Sequence, residues 1–196
     1  MEIKCDVLSK VKLSRILDPF AKFFLHLGLS PNQITIIGFS LGLIASYTLA
    51  IGHFSLGGFL IMICGFFDAL DGAVARLSAR VTPFGGILDS TLDRIVDALL
   101  LIGIGASNAV DWLPIALAIT LSFLVSYIRA RSEATGMIKK LDVGIAERAE
   151  RMLILAVGLI VGFIKEAVFL LILLSLITVI WRLIQAKRLI EKIENI

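Results

Sequence analysis

The chain has 196 residues, 58% hydrophobic and only 18% charged, with a formal net charge of +3 and a mean hydropathy of +0.97. That balance excludes an ordinary soluble domain, which carries about 25% charged residues, and leaves no soluble module to present a basic face to nucleic acid. Two cysteines, Cys5 and Cys64, exclude a disulfide framework; Cys64 reads as a small core residue in an apolar run.

The first residues, Met1 to Asp6, have no apolar core, so no cleaved signal peptide is expected. Residues 8–28 mix basic and apolar side chains at helical spacing. Val11, Leu13, Ile16, Leu17, Phe20, Phe23 and Phe24 share one face, with Lys10, Arg15 and Lys22 outside it. The pattern predicts an interfacial helix on the cytoplasmic leaflet, with an N-terminal extension of the first span as the alternative. Gly28 and the Ser30-Pro31-Asn32 step favour a break, since Ser30 can cap a helix that Pro31 begins. Apolar spans follow at 32–52, 55–77, 86–107, 111–132, 148–164 and 167–187, each near the ~20 residues a bilayer requires. Thr82-Pro83 repeats the start signal before the third span, so the second and third spans are expected to be neighbours. Residues 133–147 form the longest polar connection. The expected fold is all-α and membrane-integral: one domain over 1–196, with the interfacial helix at 8–28 and a six-helix transmembrane bundle over 32–187.

Positive charge falls on one side of these spans. Lys10, Lys12, Arg15 and Lys22 precede the first, and Arg76 and Arg80 follow the second. Arg129, Arg131, Lys139, Lys140, Arg148 and Arg151 surround the fourth-to-fifth connection, and Arg182, Lys187, Arg188 and Lys192 close the chain. The opposite connections hold only His53 with Asp111, then Lys165 with Glu166. The positive-inside rule therefore puts both termini, and Asp68, Asp71, Asp89 and Asp93 with them, at the cytoplasmic face of the plasma membrane.

Asp68, Asp71, Asp89 and Asp93 lie within this apolar chain. On helices Asp68 and Asp71 share a face, as do Asp89 and Asp93. An Asp at a helix centre in lipid costs about 2.5–3.5 kcal/mol, so four facing hydrocarbon would cost on the order of 10 kcal/mol. They are expected to face a hydrated, protein-lined cavity where a cation makes their clustering favourable. Oxygen ligands without nearby His or Cys select Mg²⁺, Mn²⁺ or Ca²⁺ over zinc. Four acids exceed the need of a single Mg²⁺, and a two-metal site able to clamp a pyrophosphate fits them better. Gly72 and Ala75 strip bulk from the first Asp helix, leaving room for a ligand or for close helix packing. Arg76 falls on the 68–72–76 stripe, where it can grip a phosphate or anchor the chain at the interface. Asp97 extends the 89–93 stripe and is expected to orient other groups rather than to bind metal.

The complete pattern, D-x-x-D-G-x-x-A-R-x8-G-x-x-x-D-x-x-x-D from Asp68 to Asp93, resembles the motif of the CDP-alcohol phosphotransferases, with every fixed position present. The resemblance implies a six-span enzyme that moves a phosphatidyl-type group from a CDP-linked lipid to an alcohol and releases CMP. It also implies that Asp68, Asp71 and Asp89 are metal ligands. Asp93 would be the general base and also touch a metal, the cofactor being two Mg²⁺ or Mn²⁺ ions. Asp68, Gly72, Ala75, Arg76 and Gly85 would form the CDP site, and the enzyme would be a homodimer.

Ser126-Tyr-Ile-Arg129-Ala-Arg131-Ser-Glu133 and Gly144-Ile-Ala-Glu147-Arg148-Ala-Glu-Arg151 resemble segments of the phosphatidylinositol phosphate synthases and of the archaetidylinositol phosphate synthases. Arg129 stands where Lys is frequent, which keeps the charge but changes the donor geometry. Arg129, Arg131, Arg148 and Arg182 are the candidate acceptor-phosphate residues, because an acceptor carrying its own phosphate needs fixed positive charge. Glu133 and Glu147 are candidates to orient them. The substrates implied are CDP-diacylglycerol or CDP-archaeol and myo-inositol 1-phosphate. A phosphatidylglycerophosphate-type synthase using glycerol 3-phosphate or glycerol 1-phosphate is the nearest alternative. A cation or proton transporter is the alternative from another class.

Overall fold

The computed structural model describes residues 17–138, 141, 144 and 147–194, and among these it is helical with no strand. Residues 17–26 form helix α1, and six helices follow: α2 (Pro31–Ala50), α3 (Phe54–Leu77), α4 (Pro83–Ala106), α5 (Trp112–Glu133), α6 (Arg148–Val161) and α7 (Ile164–Glu194). These bounds follow the apolar spans expected from the sequence to within a few residues at most ends; α7 runs on to Glu194.

Local chemistry sets the helix ends. Ser30 and Gln33 make a reciprocal capping box at α2: Ser30 Oγ accepts from Gln33 N–H, and Gln33 Oε1 accepts from Ser30 N–H at 2.8 Å. Thr82 Oγ1 accepts from Gly85 N–H at 3.0 Å to start α4. Gly162, at φ +92°, closes α6 in a conformation that costs glycine little.

Among the described residues four helices are long and apolar enough to cross a membrane: α2, α3, α5 and α7 through Ile193. Helix α4 carries Asp89, Asp93, Arg94 and Asp97. Helix α6 has 14 residues and spans only about 21 Å, less than the ~30 Å hydrocarbon core. By contrast α7, with 31 residues, is about 46 Å long and outruns that core. Large apolar side chains remain exposed around the bundle, including Phe84, Leu113, Val161 and Phe163, as a lipid-facing surface requires.

Helix α2 packs on α3 and α4, α3 on α6, and α5 on α7, with α4–α5 and α6–α7 contacts closing the bundle. The main core joins Ala45, Leu49, Ile61, Leu100, Ile104, Ile115, Leu155, Leu159 and Leu171 from the facing sides of the six helices α2 to α7. Helix α1 buries Leu17 and Ala21 against Ile34, Leu70, Ala73 and Val74. Its Phe20 and Phe24 stack edge-on with Phe66 and Phe67, with centroids 5.4 and 5.9 Å apart. Residues 8–16 of the expected interfacial helix lie outside the described residues. The part seen lies beside the Asp-bearing end of α3.

Helices α3 and α6 approach closely at Gly58, where a Cβ would sit 2.7 Å from the Ala156 carbonyl oxygen. Gly58→Ala should therefore force the helices apart and lower the thermal midpoint, overpacking of this kind costing about 1–3 kcal/mol. Gly65→Ala is the control, since a Cβ there meets nothing within 4 Å. Equal thermal unfolding midpoints for the two variants in detergent would contradict this contact.

Candidate active site

The short turn between α3 and α4 folds the end of one helix against the start of the next. Asp68 and Asp71 lie near the C-terminal end of α3, and Asp89 and Asp93 in the early turns of α4. One carboxylate oxygen each from Asp68, Asp89 and Asp93 lies within 4.8 Å of the other two. Asp89 Oδ1 is buried and has no hydrogen-bond partner among the described residues. An orphaned anionic oxygen within an all-oxygen donor set fits a hard divalent cation such as Mg²⁺ or Mn²⁺. Asp71 stands outside this trio. It is buried, and Thr35 Oγ1 of α2 donates to its Oδ2 at 2.6 Å. Thr35 carried no signal in the sequence beyond its place one turn into the capped helix.

Two cavities flank the trio. The first, about 150 Å³, is lined by Asp71, Gly72, Ala75, Gly85 and Asp89 together with Asn32, Thr35 and Arg80. These include three of the small residues predicted for a nucleotide site. Arg76 does not line it; a Cβ at Gly72 would lie 3.3 Å from Arg76 Nη1, so this guanidinium sits beside Gly72. Arg80, read from the sequence only as a topological anchor, takes the lining position.

The second cavity, about 360 Å³, is lined by Asp68, Asp71, Asp89 and Asp93 together with Arg94, Arg129, Arg148, Arg151 and Arg182. Arg131 is not among its lining residues and is exposed in the last turn of α5. Arg129 Nε pairs with Glu133 Oε1 at 3.1 Å, and the same oxygen accepts from Leu141 N–H at 3.0 Å. Glu133 thus orients Arg129 and tethers the following connection. Glu147 instead caps α6 through a reciprocal box with Glu150. Arg182 is buried and its Nη1 donates to the Val125 carbonyl.

Two arginines were missed by the sequence reading of the site. Arg151 is 2% exposed, and its Nε and Nη1 have no hydrogen-bond partner among the described residues. Its signal was its spacing, three residues after Arg148 and so on the same helix face. Arg94 donates from Nε to Ser126 Oγ at 3.2 Å and lies 3.5 Å from Asp93 Oδ2. Only its place beside Asp93 could have drawn attention to it.

Arg148 connects the acids to the basic cavity. Its Nη1 lies 3.1 Å from Asp68 Oδ1 and 2.9 Å from Asp93 Oδ2. Its Nε donates to Asp97 Oδ1 and Oδ2 at 3.1 and 3.2 Å, and its Nη2 lies 3.1 Å from Oδ1. Asp97, buried at 5% exposure, binds the arginine rather than joining the trio, as the sequence suggested. Beside Asp68 and Arg148 an apolar groove of about 420 Å³ runs between α1, α3 and α6, past Leu17, Ile61, Met62, Met152 and Leu153. Carboxylates, a basic pocket, a glycine-lined pocket and an apolar groove thus converge on one point.

Residues 28–181 match the family model described as CDP-alcohol phosphatidyltransferase. The chain is 42% identical over 187 residues to the archaetidylinositol phosphate synthase of Pyrococcus horikoshii, covering 94% of this chain and 99% of that one. It is 35% identical over 191 residues to the phosphatidylinositol phosphate synthase of Mycobacteroides abscessus, covering 90% of this chain and 86% of the relative. Among solved structures it is similar to the Mycobacterium tuberculosis phosphatidylinositol phosphate synthase with CDP-DAG bound, at TM-score 0.78 and 31% identity, covering 88% of this chain and 94% of that one. The complex of that enzyme with manganese and citrate gives TM-score 0.79 at 31% identity, covering 87% of this chain and 88% of the other.

Thr35→Val should lower the thermal midpoint, because a charge-assisted hydrogen bond to a buried carboxylate contributes about 1.5–3 kcal/mol. Thr35→Ser, which keeps the hydroxyl, should unfold close to the wild-type midpoint. A valine variant as stable as wild type would mean that Asp71 does not depend on this donor.

Proposed function

The chain belongs to the CDP-alcohol phosphatidyltransferase family, and on that basis we propose that it transfers a phosphatidyl or archaetidyl group from a CDP-lipid to myo-inositol 1-phosphate and releases CMP. The observation that carries the acceptor assignment is the cavity that Arg129, Arg148, Arg151 and Arg182 line together with the Asp trio. An uncharged acceptor such as free inositol has no use for so many guanidiniums, whereas a dianionic phosphate monoester does.

In this reading α2 to α7 form one transmembrane bundle, in which the 14-residue α6 is embedded without crossing the full hydrocarbon core; α1 lies at the interface, and both termini and the site face the cytoplasm. The α4 charges are tolerated because they turn toward the site, as membrane carboxylates must. Two copies assemble as a homodimer. The polar substrates enter from water while the lipid chains stay in the apolar groove beside Asp68.

Asp68, Asp71, Asp89 and Asp93 hold two Mg²⁺ or Mn²⁺ ions. When bound, these supply Lewis-acid stabilisation to the pyrophosphate oxygens and the leaving phosphate. Gly72, Ala75 and Gly85 give the nucleotide room on the α2 side, with Asp68 and Arg76 at its edge. The arginines hold the acceptor phosphate and thereby orient the inositol ring. Asp93 takes the proton from the acceptor hydroxyl, whose oxygen attacks the β-phosphorus; the phosphoanhydride bond to CMP breaks. Arg148 and Arg94 both approach Asp93 Oδ2, which fixes the carboxylate for that transfer.

CMP release should occur with myo-inositol 1-phosphate and a CDP-lipid, tested as both CDP-diacylglycerol and CDP-archaeol, and not with serine or free inositol. Activity with glycerol phosphate and none with inositol phosphate would overturn the acceptor assignment. Chelation should abolish turnover and added Mn²⁺ or Mg²⁺ restore it; full activity after verified metal removal would refute the metal-dependent route.

Asp93→Asn should lower kcat by about 10²–10⁴-fold while CDP-lipid binding persists. Arg151→Ala should raise the acceptor KM by roughly ten- to 150-fold, the equivalent of a charge-assisted hydrogen bond, with Arg151→Lys recovering only part. An unchanged acceptor KM in the alanine variant would remove Arg151 from the phosphate pocket.

A further inference from the structure

Asp97 lies outside the aspartate motif and one helical turn beyond Asp93, yet it holds the key cation of the site. Its carboxylate faces the Nε/Nη2 edge of Arg148 through contacts of 3.1 and 3.2 Å, while Nη1 is shared between Asp68 and Asp93. One guanidinium is therefore divided between Asp97 on one edge and two members of the Asp68–Asp89–Asp93 trio on the other. We infer that Asp97 is a positioning residue that holds Arg148 against α4 and thereby sets how tightly Asp68 and Asp93 can hold a divalent cation. The inference rests on the cation site proposed above.

The physical reason is competition for the same oxygens. A cation at the trio must share Asp68 and Asp93 with Arg148 Nη1. While Asp97 takes the opposite edge, it balances much of the arginine's charge and fixes its plane, since a bidentate pair constrains orientation as well as distance. With Asp97 neutralised, the buried guanidinium has only Asp68 and Asp93 as close counter-ions and draws both away from the cation. Arg94, Arg151 and Arg182 line the same cavity and add positive charge without offsetting this loss. Asp97 thus acts on the cation through Arg148, so its effect must vanish once Arg148 carries no charge.

A double-mutant cycle read by Mn²⁺ binding tests this. The full-length protein is purified in detergent without lipid substrate, and free Mn²⁺ is followed by its electron paramagnetic resonance signal. Asp97→Asn should weaken Mn²⁺ binding roughly 10- to 100-fold, the usual effect of removing a group that orients a metal site from outside. Arg148→Gln should bind Mn²⁺ at least as tightly as wild type. Adding Asp97→Asn to Arg148→Gln should change binding by about twofold or less, the scatter of independent substitutions. Asp97→Ser replaces the Asn variant if that protein is not monodisperse. Equal weakening in both backgrounds would overturn the inference, since Asp97 would then act by its own charge. Wild-type affinity in the single Asp97 variant would overturn it as well. Absence of Mn²⁺ binding to wild-type protein would overturn the cation site and this inference together.

Discussion

Carboxylates inside an apolar helix bundle must be balanced by charge from another part of the chain, and Arg148 meets that requirement. It leaves the first turn of α6 and reaches Asp68 on α3, 80 residues away in sequence, and Asp97 on α4, 51 residues away. An unpaired buried charge is far more costly than a paired one, so the three helices are held to one geometry at this level. Below it, the glycine contact at Gly58 fixes how closely α3 and α6 approach. Apolar packing and ion pairing therefore act on the same helix pair from two depths.

The balance at the centre separates two environments. On the α2 side, Gly72, Ala75 and Gly85 remove bulk beside Asp71 and Asp89, and the cavity there is narrow. On the α5–α7 side the lining is long and cationic, and the cavity is more than twice as large. A ridge of carboxylates between them can contact ligands from both. Such an arrangement suits a group transfer in which donor and acceptor enter from different sides and react over the ridge. The apolar groove beside Asp68 and Arg148 explains why such chemistry belongs at a membrane surface. A lipid-linked donor need not leave the bilayer to present its phosphates.

The arginines around the larger cavity differ in how they are held. Arg148 is paired with carboxylates, Arg129 is held by Glu133, and Arg182 donates to the Val125 carbonyl. Arg151 is the contrast: a deeply buried guanidinium with two nitrogens lacking partners among the described residues. Buried donors left open in this way are costly unless a ligand completes them. That makes Arg151 a stronger candidate for anion contact than Arg131, which the sequence put forward and which lies exposed outside the cavity lining.

The sequence by itself determined the helices and the kind of chemistry. Apolar runs, Ser30 and Thr82 caps, and proline starts are local signals, so the bounds of α2 to α6 could be read closely. The aspartate motif gave the donor set and the family resemblance, because motif spacing on a helix fixes which side chains share a face. Only the tertiary structure decided which groups meet. It gathered Asp68, Asp89 and Asp93, turned Asp71 toward Thr35, brought Arg151 and Arg94 to the cavity and left Arg131 out. Those outcomes depend on helix rotation and on contacts between residues 32 to 80 positions apart. Periodicity says that two residues lie on one face; packing between helices decides what that face meets.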